Sequence, residues 1–145
     1  MWFYNNQVVN SIEDMPNNTF GFIYKIINKE TGKFYIGKKY LLHNIKKKLT
    51  KKELAEQSGP GRKPTTKKIQ KESDWKLYYG SSKELKSDLD LYSMDKFERI
   101  ILKFCSTSKQ LNYWETAYQF KEDVLIVDSY CDNIAGRYFR KDLLG

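Results

Sequence analysis

Cysteine is scarce in this chain: Cys105 and Cys131 are the only two among 145 residues. Two thiols do not make the disulfide framework of a small secreted domain, and neither has ligand-type neighbours at metal-binding spacing. Both read as reduced thiols. Histidine is scarcer still, with His43 alone; it reads as a proton-transfer partner or an exposed side chain, the second being the simpler account. No apolar run approaches the ~18 residues of a membrane span, and Met1 to Gln7 lacks the basic stretch and apolar segment of a secretory leader. These absences predict a soluble, cytoplasmic protein with no membrane partner.

Charge is present but unevenly spread. Between Lys38 and Lys76 the chain carries thirteen Lys/Arg against four Asp/Glu, whereas the whole chain has a net charge of +8. The remainder is therefore close to neutral. A basic block confined to one segment suits a polyanion, because each phosphate it neutralises releases counterions. Aromatic residues make up 15% of the chain, which argues for a folded core despite the high charged fraction. The length suits one domain, or one domain with a long insertion.

Order in the chain centres on Phe20 to Lys39. Phe20-Gly21-Phe22-Ile23-Tyr24-Lys25-Ile26-Ile27 and Phe34-Tyr35-Ile36-Gly37-Lys38-Lys39 are β-prone runs flanking a polar turn that contains Gly32, so they predict a hairpin. Side chains alternate across a strand, placing Phe22, Tyr24 and Ile26 on one face. Gly37 is expected to let a phosphate approach the backbone, and the tyrosines bring phenols that exchange protons. Residues 1–19 read as an irregular lead-in with a short strand at Gln7-Val8-Val9. Lys39 to Lys46 could begin a helix, and Thr50-x-x-Glu53 is a capping box. Ser58 to Pro64 reads as a flexible basic linker, loosely resembling the Gly-Arg-Pro core of minor-groove hooks. A helix is expected over Leu85–Leu91, a central strand over Asp95–Phe104, a helix over Gln110–Glu122 with a Leu111/Trp114/Tyr118 core stripe, and a final short strand over Val124–Asp128.

Ile23-Tyr24 followed by Tyr35-Ile36-Gly37 resembles the paired signature of the GIY-YIG nuclease superfamily, over about residues 20–136. Trp75 to Ser82 and the Lys-rich segment look like the nuclease domains of large phages, including homing endonucleases. The resemblance implies an α+β fold, a small central antiparallel three-stranded sheet flanked by helices, with residues 1–19 as lead-in, the domain over 20–145 and a Lys-rich insertion at about 44–72. It also implies a glutamate on a helix after the third strand, matched by Glu115, that holds Mg²⁺ or Mn²⁺, and an asparagine near the end, matched by Asn133. The chain departs from the pattern in two places. Phe22 stands where the first glycine is usual, and no arginine lies between Gly37 and Arg62 to reach the scissile phosphate.

The resulting expectation is a metal-dependent DNA endonuclease. Tyr24, assisted by Tyr35, would activate water, Glu115 would be catalytic as the metal ligand, and Lys38, Lys39, Lys76, Arg62 and Asn133 would contact DNA. If the chain is phage-encoded, the cytoplasm is the host's. The alternative is a catalytically impaired nucleic-acid-binding protein on the same scaffold, motivated by the missing arginine.

Overall fold

The computed structural model describes residues 1–144; the expected domain end at Gly145 lies outside the described residues. It divides into two compact units, residues 1–41 with 74–144 and residues 42–73.

The first unit is built on a five-stranded sheet. In chain order its strands are β1 (Trp2–Tyr4), β2 (Gln7–Val9), β3 (Gly21–Asn28) and β4 (Phe34–Tyr40), and, after the second unit, a strand over Phe97–Cys105. The second unit contributes β5 (Leu42–Lys48), α1 (Lys51–Ala55) and β6 (Thr66–Glu72), so the Phe97–Cys105 strand is β7. Sheet order is β2-β1-β7-β3-β4. The antiparallel trio β7-β3-β4 is present, but β1 pairs in parallel with β7 and carries β2 with it, so the three-stranded sheet expected from sequence is a mixed five-stranded one. The N-terminus is therefore not an irregular lead-in. Trp2, only 1% exposed, stacks edge-on to Phe22 and Tyr24, and its indole N–H donates to the Trp75 carbonyl at 2.7 Å. That much apolar area removed from water explains why three residues of strand persist there.

Strand alternation sorts the core into two layers. Phe22, Tyr24 and Ile26 face a cluster with Trp2, Trp75, Ile101 and Leu85, the last from helix α2 (Lys83–Tyr92). Ile23 and Ile36 face the other way, toward Leu111 of helix α3 (Ser108–Lys121), Val124 and Cys131. Both cysteines are buried and free. Caps fix the helix starts: Ser82 Oγ accepts from Leu85 N–H at 3.2 Å and Thr107 Oγ1 from Gln110 N–H at 3.1 Å. The expected strand at Val124–Asp128 is instead a run of turns. Asp123 sits at φ +50°, and its carbonyl accepts from the amides of both Ile126 and Val127, leaving no ladder for a strand. The carbonyls of that stretch are collected by Arg140, in α4 (Arg140–Leu143), whose guanidinium donates to Val127 O at 2.8 Å and Cys131 O at 3.0 Å. A two-residue hairpin, β8 (Asn133–Ile134) with β9 (Tyr138–Phe139), precedes it.

Arg99 on β7 ties down the segment that completes the site. It is 5% exposed, lies between the rings of Trp2 (4.6 Å) and Tyr79 (4.2 Å), and donates through Nη1 to Lys76 O at 3.0 Å and Tyr78 O at 2.9 Å. Arg99→Ala should cost about 2–4 kcal/mol, since two carbonyls lose a charged donor and two rings lose their cation. The urea midpoint measures it. An unchanged midpoint would mean that the Lys76–Tyr79 segment is held by other contacts.

The second unit is a two-stranded antiparallel ribbon, β5 with β6, in register from Leu42↔Glu72 to Lys48↔Thr66. The helix expected over Lys39–Lys46 is not formed: those residues end β4 and, after Leu41, begin β5. The Thr50/Glu53 capping box is formed, and the Gly/Pro-rich loop is closed by Gln57 Nε2 donating to Pro64 O at 2.8 Å.

Candidate active site

Register brings the signature residues together. Tyr24 on β3 is paired with Gly37 on β4, and Ile26 with Tyr35, so the two tyrosines are diagonal neighbours on one face, their ring centroids 6.0 Å apart. A shift in β3–β7 pairing falls between Ile23 and Tyr24, so β7 carries one extra residue opposite this point. Such bulges bend a strand and re-aim side chains beside functional sites. Gly37 also has a steric reason to be glycine. A Cβ there would lie 2.6 Å from Tyr24 Oη and 2.8 Å from Tyr35 Cε1. The glycine makes room for the two phenols. Gly21 does similar work one residue before Phe22, where a Cβ would meet Lys39 O at 2.5 Å. With that close approach met one position earlier, Phe22 is free to fill the core.

Tyr24 is 1% exposed and its pKa is pushed well above 10, chiefly by burial, then by Tyr35 and Tyr78, by a hydrogen bond with Tyr78 that favours the protonated form, and by the charge of Glu115. Neighbouring lysines do not offset this, so the phenolate-favouring surroundings that a resting base requires are not present. Tyr35, half-buried, is raised to about 12, mainly by burial; its hydroxyl pairs with Ser81 Oγ at 3.0 Å. The sign for stability follows. A phenol whose pKa is higher folded than unfolded contributes stability that is fully present below about pH 10 and is lost as pH rises toward about 12 for Tyr35 and beyond for Tyr24. Melting temperature should therefore fall steeply above pH 10, together with a rise in tyrosinate absorbance.

Glu115 is placed by the open edge of the sheet. Strand β4 is an edge strand, and its outward backbone groups need partners. Tyr130 N–H donates to Phe34 O at 2.8 Å and Gln119 Nε2 to Ile36 O at 3.0 Å, and the Lys38 backbone amide lies near enough to the Glu115 carboxylate to favour its charged form. Asn112, Glu115 and Gln119 recur at three- and four-residue spacing, forming one polar stripe of α3 along that edge. Lys38 Nζ lies 3.9 Å from Glu115 Oε1 and donates to Asn112 Oδ1. Burial nevertheless wins over both Lys38 contributions and leaves the Glu115 pKa raised. Its side chain is 21% exposed, so the carboxylate opens to solvent.

The other expected contacts are dispersed. Lys39 is engaged by Asp74 at 2.6 Å and lies 3.9 Å above the Tyr78 ring. Lys76 sits in a short turn at Trp75–Leu77, with its Nζ 5.7 Å from the Trp75 ring. Arg62 belongs to the second unit. Asn133 Oδ1 accepts from Gly136 N–H at 2.9 Å, closing the β8–β9 turn. Tyr78 and Ser81, which touch the two signature tyrosines, were missed. Their only sequence signal is the run Tyr78-Tyr79-Gly80 just before a helix cap.

No group of three or more His, Cys, Asp or Glu suited to enclosing a metal occurs among the described residues, nor does any helix there have the length and apolarity to cross a membrane. Comparison with curated proteins and with solved structures finds no match. Residues 2–142, nearly the whole chain, match the family described as "Putative endonuclease segE, GIY-YIG domain". A match over nearly the whole chain places it in the GIY-YIG nuclease superfamily, in the segE family.

Proposed function

We propose that this chain is a DNA endonuclease that hydrolyses phosphodiester bonds with a divalent cation held on Glu115. The observation that carries the reading is the carboxylate itself, about one-fifth exposed beside the β4 edge, with Lys38 Nζ 3.9 Å from its Oε1. The donor chemistry fits Mg²⁺ or Mn²⁺: Mg²⁺ keeps several waters and is commonly bound through one or two carboxylates plus substrate phosphate, so no all-protein cage is needed. When bound there, such a cation would polarise the scissile phosphate and stabilise the leaving 3′ oxygen.

The chain's own residues supply the rest. Tyr24, in the phenolate fraction that grows as pH rises, accepts the proton of the attacking water, its ring fixed by Gly37, Tyr35 and Tyr78. Water oxygen bonds to phosphorus as the P–O3′ bond breaks, and the leaving 3′ oxygen takes a proton from solvent, giving a 5′ phosphate and a 3′ hydroxyl. Lys38, beside Glu115, is the cation best set to meet a phosphate oxygen, in place of the arginine that the family pattern has. With Tyr24 held protonated by its surroundings, cleavage should climb by up to about tenfold per pH unit through the neutral and mildly alkaline range. A pH–rate profile that is flat there would remove Tyr24 from the base role.

A second reading, a DNA-binding protein without turnover, draws on the arginines: Arg99 and Arg140 both spend their guanidinium on backbone carbonyls. Supercoiled plasmid incubated with the protein and Mg²⁺ separates the two. Nicking or linearisation that EDTA abolishes is expected; an intact plasmid that shifts on a gel would favour the second.

A further inference from the structure

Residues 42–73 hold ten Lys/Arg and three Glu, hence seven of the chain's eight net positive charges. Directly paired residues of an antiparallel ribbon share a face. At the middle of the ribbon the β5–β6 register therefore gives one face Ile45, Ile69, Lys47 and Lys67, and the other Asn44, Gln70, Lys46 and Lys68, the second face running on to Leu42 and Glu72 at one end and Lys48 and Thr66 at the other. The first is the inner face: both isoleucines and Lys67 are half-buried, and Lys67 Nζ pairs with Glu53 of α1 at 2.7 Å. The second is exposed at every one of these positions. On it Lys46 stands directly opposite Lys68, an arrangement that destabilises a ladder. A two-stranded ribbon is marginally stable to begin with. Folding gains nothing from this pair, whereas a polyanion would relieve it.

Resting on the DNA reading above, we infer that this exposed ribbon face enters the major groove of duplex DNA and reads purines there. The groove, about 12 Å wide, admits a two-stranded ribbon. Side chains two residues apart on one face are spaced about 6.8 Å, close to two base-pair steps at about 3.4 Å each. The amides of Asn44 and Gln70 match the N6 donor and N7 acceptor of adenine; the ammonium groups of Lys46 and Lys68, one face position further on, match guanine O6 and N7. A ribbon that served only to hold phosphates would need charge on this face but not the amide pair.

The test uses the full chain in EDTA, so that DNA stays intact, and a pool of duplexes randomised over one helical turn. Selection should enrich a motif containing adenine and guanine about two steps apart. The double variant Asn44→Ala/Gln70→Ala should bind that motif about tenfold or more weakly while holding random duplex within about twofold and keeping its salt slope. Replacing the motif adenine by 7-deazaadenine removes the N7 acceptor, so wild type should lose a similar factor and the variant nothing further. No binding, no enriched motif, a variant that keeps wild-type preference, or indifference to 7-deazaadenine would each overturn the inference. Cleavage is scored separately in Mg²⁺. A motif without cleavage removes the nuclease reading and keeps the ribbon; cleavage without a motif does the reverse.

Discussion

Glu115→Gln should abolish Mg²⁺-dependent cleavage, by at least about 10²-fold, while leaving the protein as stable as the wild type or more so. The amide keeps the shape of the carboxylate and retains an oxygen near the Lys38 N–H, so the β4 edge stays covered. What goes is the charge, and the fold does not favour that charge. Burial raises the Glu115 pKa above its ordinary 4.5. A carboxyl whose pKa is higher folded than unfolded contributes stability that is fully present below about pH 4.5 and is lost as pH rises through the folded value. At neutral pH the wild type therefore carries a cost that the glutamine variant lacks. Melting curves in EDTA should put the variant level with or above wild type at pH 7, with the difference closing under acid conditions. Added Mg²⁺ should raise the wild-type melting temperature and leave the variant's unchanged, since a ligand stabilises only the state that binds it. Cleavage near wild-type rates would move the metal site away from Glu115. A variant that melts well below wild type would make this residue an edge cap and no more.

What the sequence made legible, and what it did not, divides along one physical line. Local signals came through: the β3–β4 hairpin and the helix starts at Thr50 and Thr107 are set by residues a few positions apart, and β7 by an apolar run. Non-local pairing did not: nothing in the sequence signals that Trp2-Phe3-Tyr4 pairs in parallel with β7 ninety-odd residues away. Its antiparallel pairing with β2, turned by Asn5 and Asn6 at positive φ, is a local signal that went unread. Val124 to Val127 has strand composition, yet Asp123 at positive φ and the Arg140 guanidinium claim its backbone groups. The site shows the same division. Tyr24, Tyr35 and Gly37 were readable as a spaced signature, but Tyr78 and Ser81 join them only through the turn that Arg99 anchors. The sequence also misled on electrostatics. Lysines crowd this part of the chain, but Lys39 is paired with Asp74, and burial, not positive charge, dominates at Tyr24.

Gly37→Ala should displace both signature phenols at once. The added carbon would sit 2.6 Å from Tyr24 Oη, 2.9 Å from Tyr24 Cζ and 2.8 Å from Tyr35 Cε1. Neither ring can retreat cheaply. Tyr24 is enclosed by Trp2 at 5.4 Å and Tyr78 at 5.8 Å between ring centroids, and Tyr35 is bonded to Ser81. Overpacking of this kind costs about 1–3 kcal/mol, and displacing a reacting phenol by about 1 Å costs about 10²-fold in rate. The two effects should separate in a comparison with Gly32→Ala. Gly32 has φ +78° and open space where its Cβ would be, so that change imposes backbone strain of about 1 kcal/mol in the turn and touches no phenol. Equal urea destabilisation in the two variants, with cleavage lost only in Gly37→Ala, would assign the loss to the tyrosines' position. If Gly37→Ala cleaves normally once folded, the geometry of the paired phenols is not what the chemistry depends on, and the base must be sought outside this hairpin.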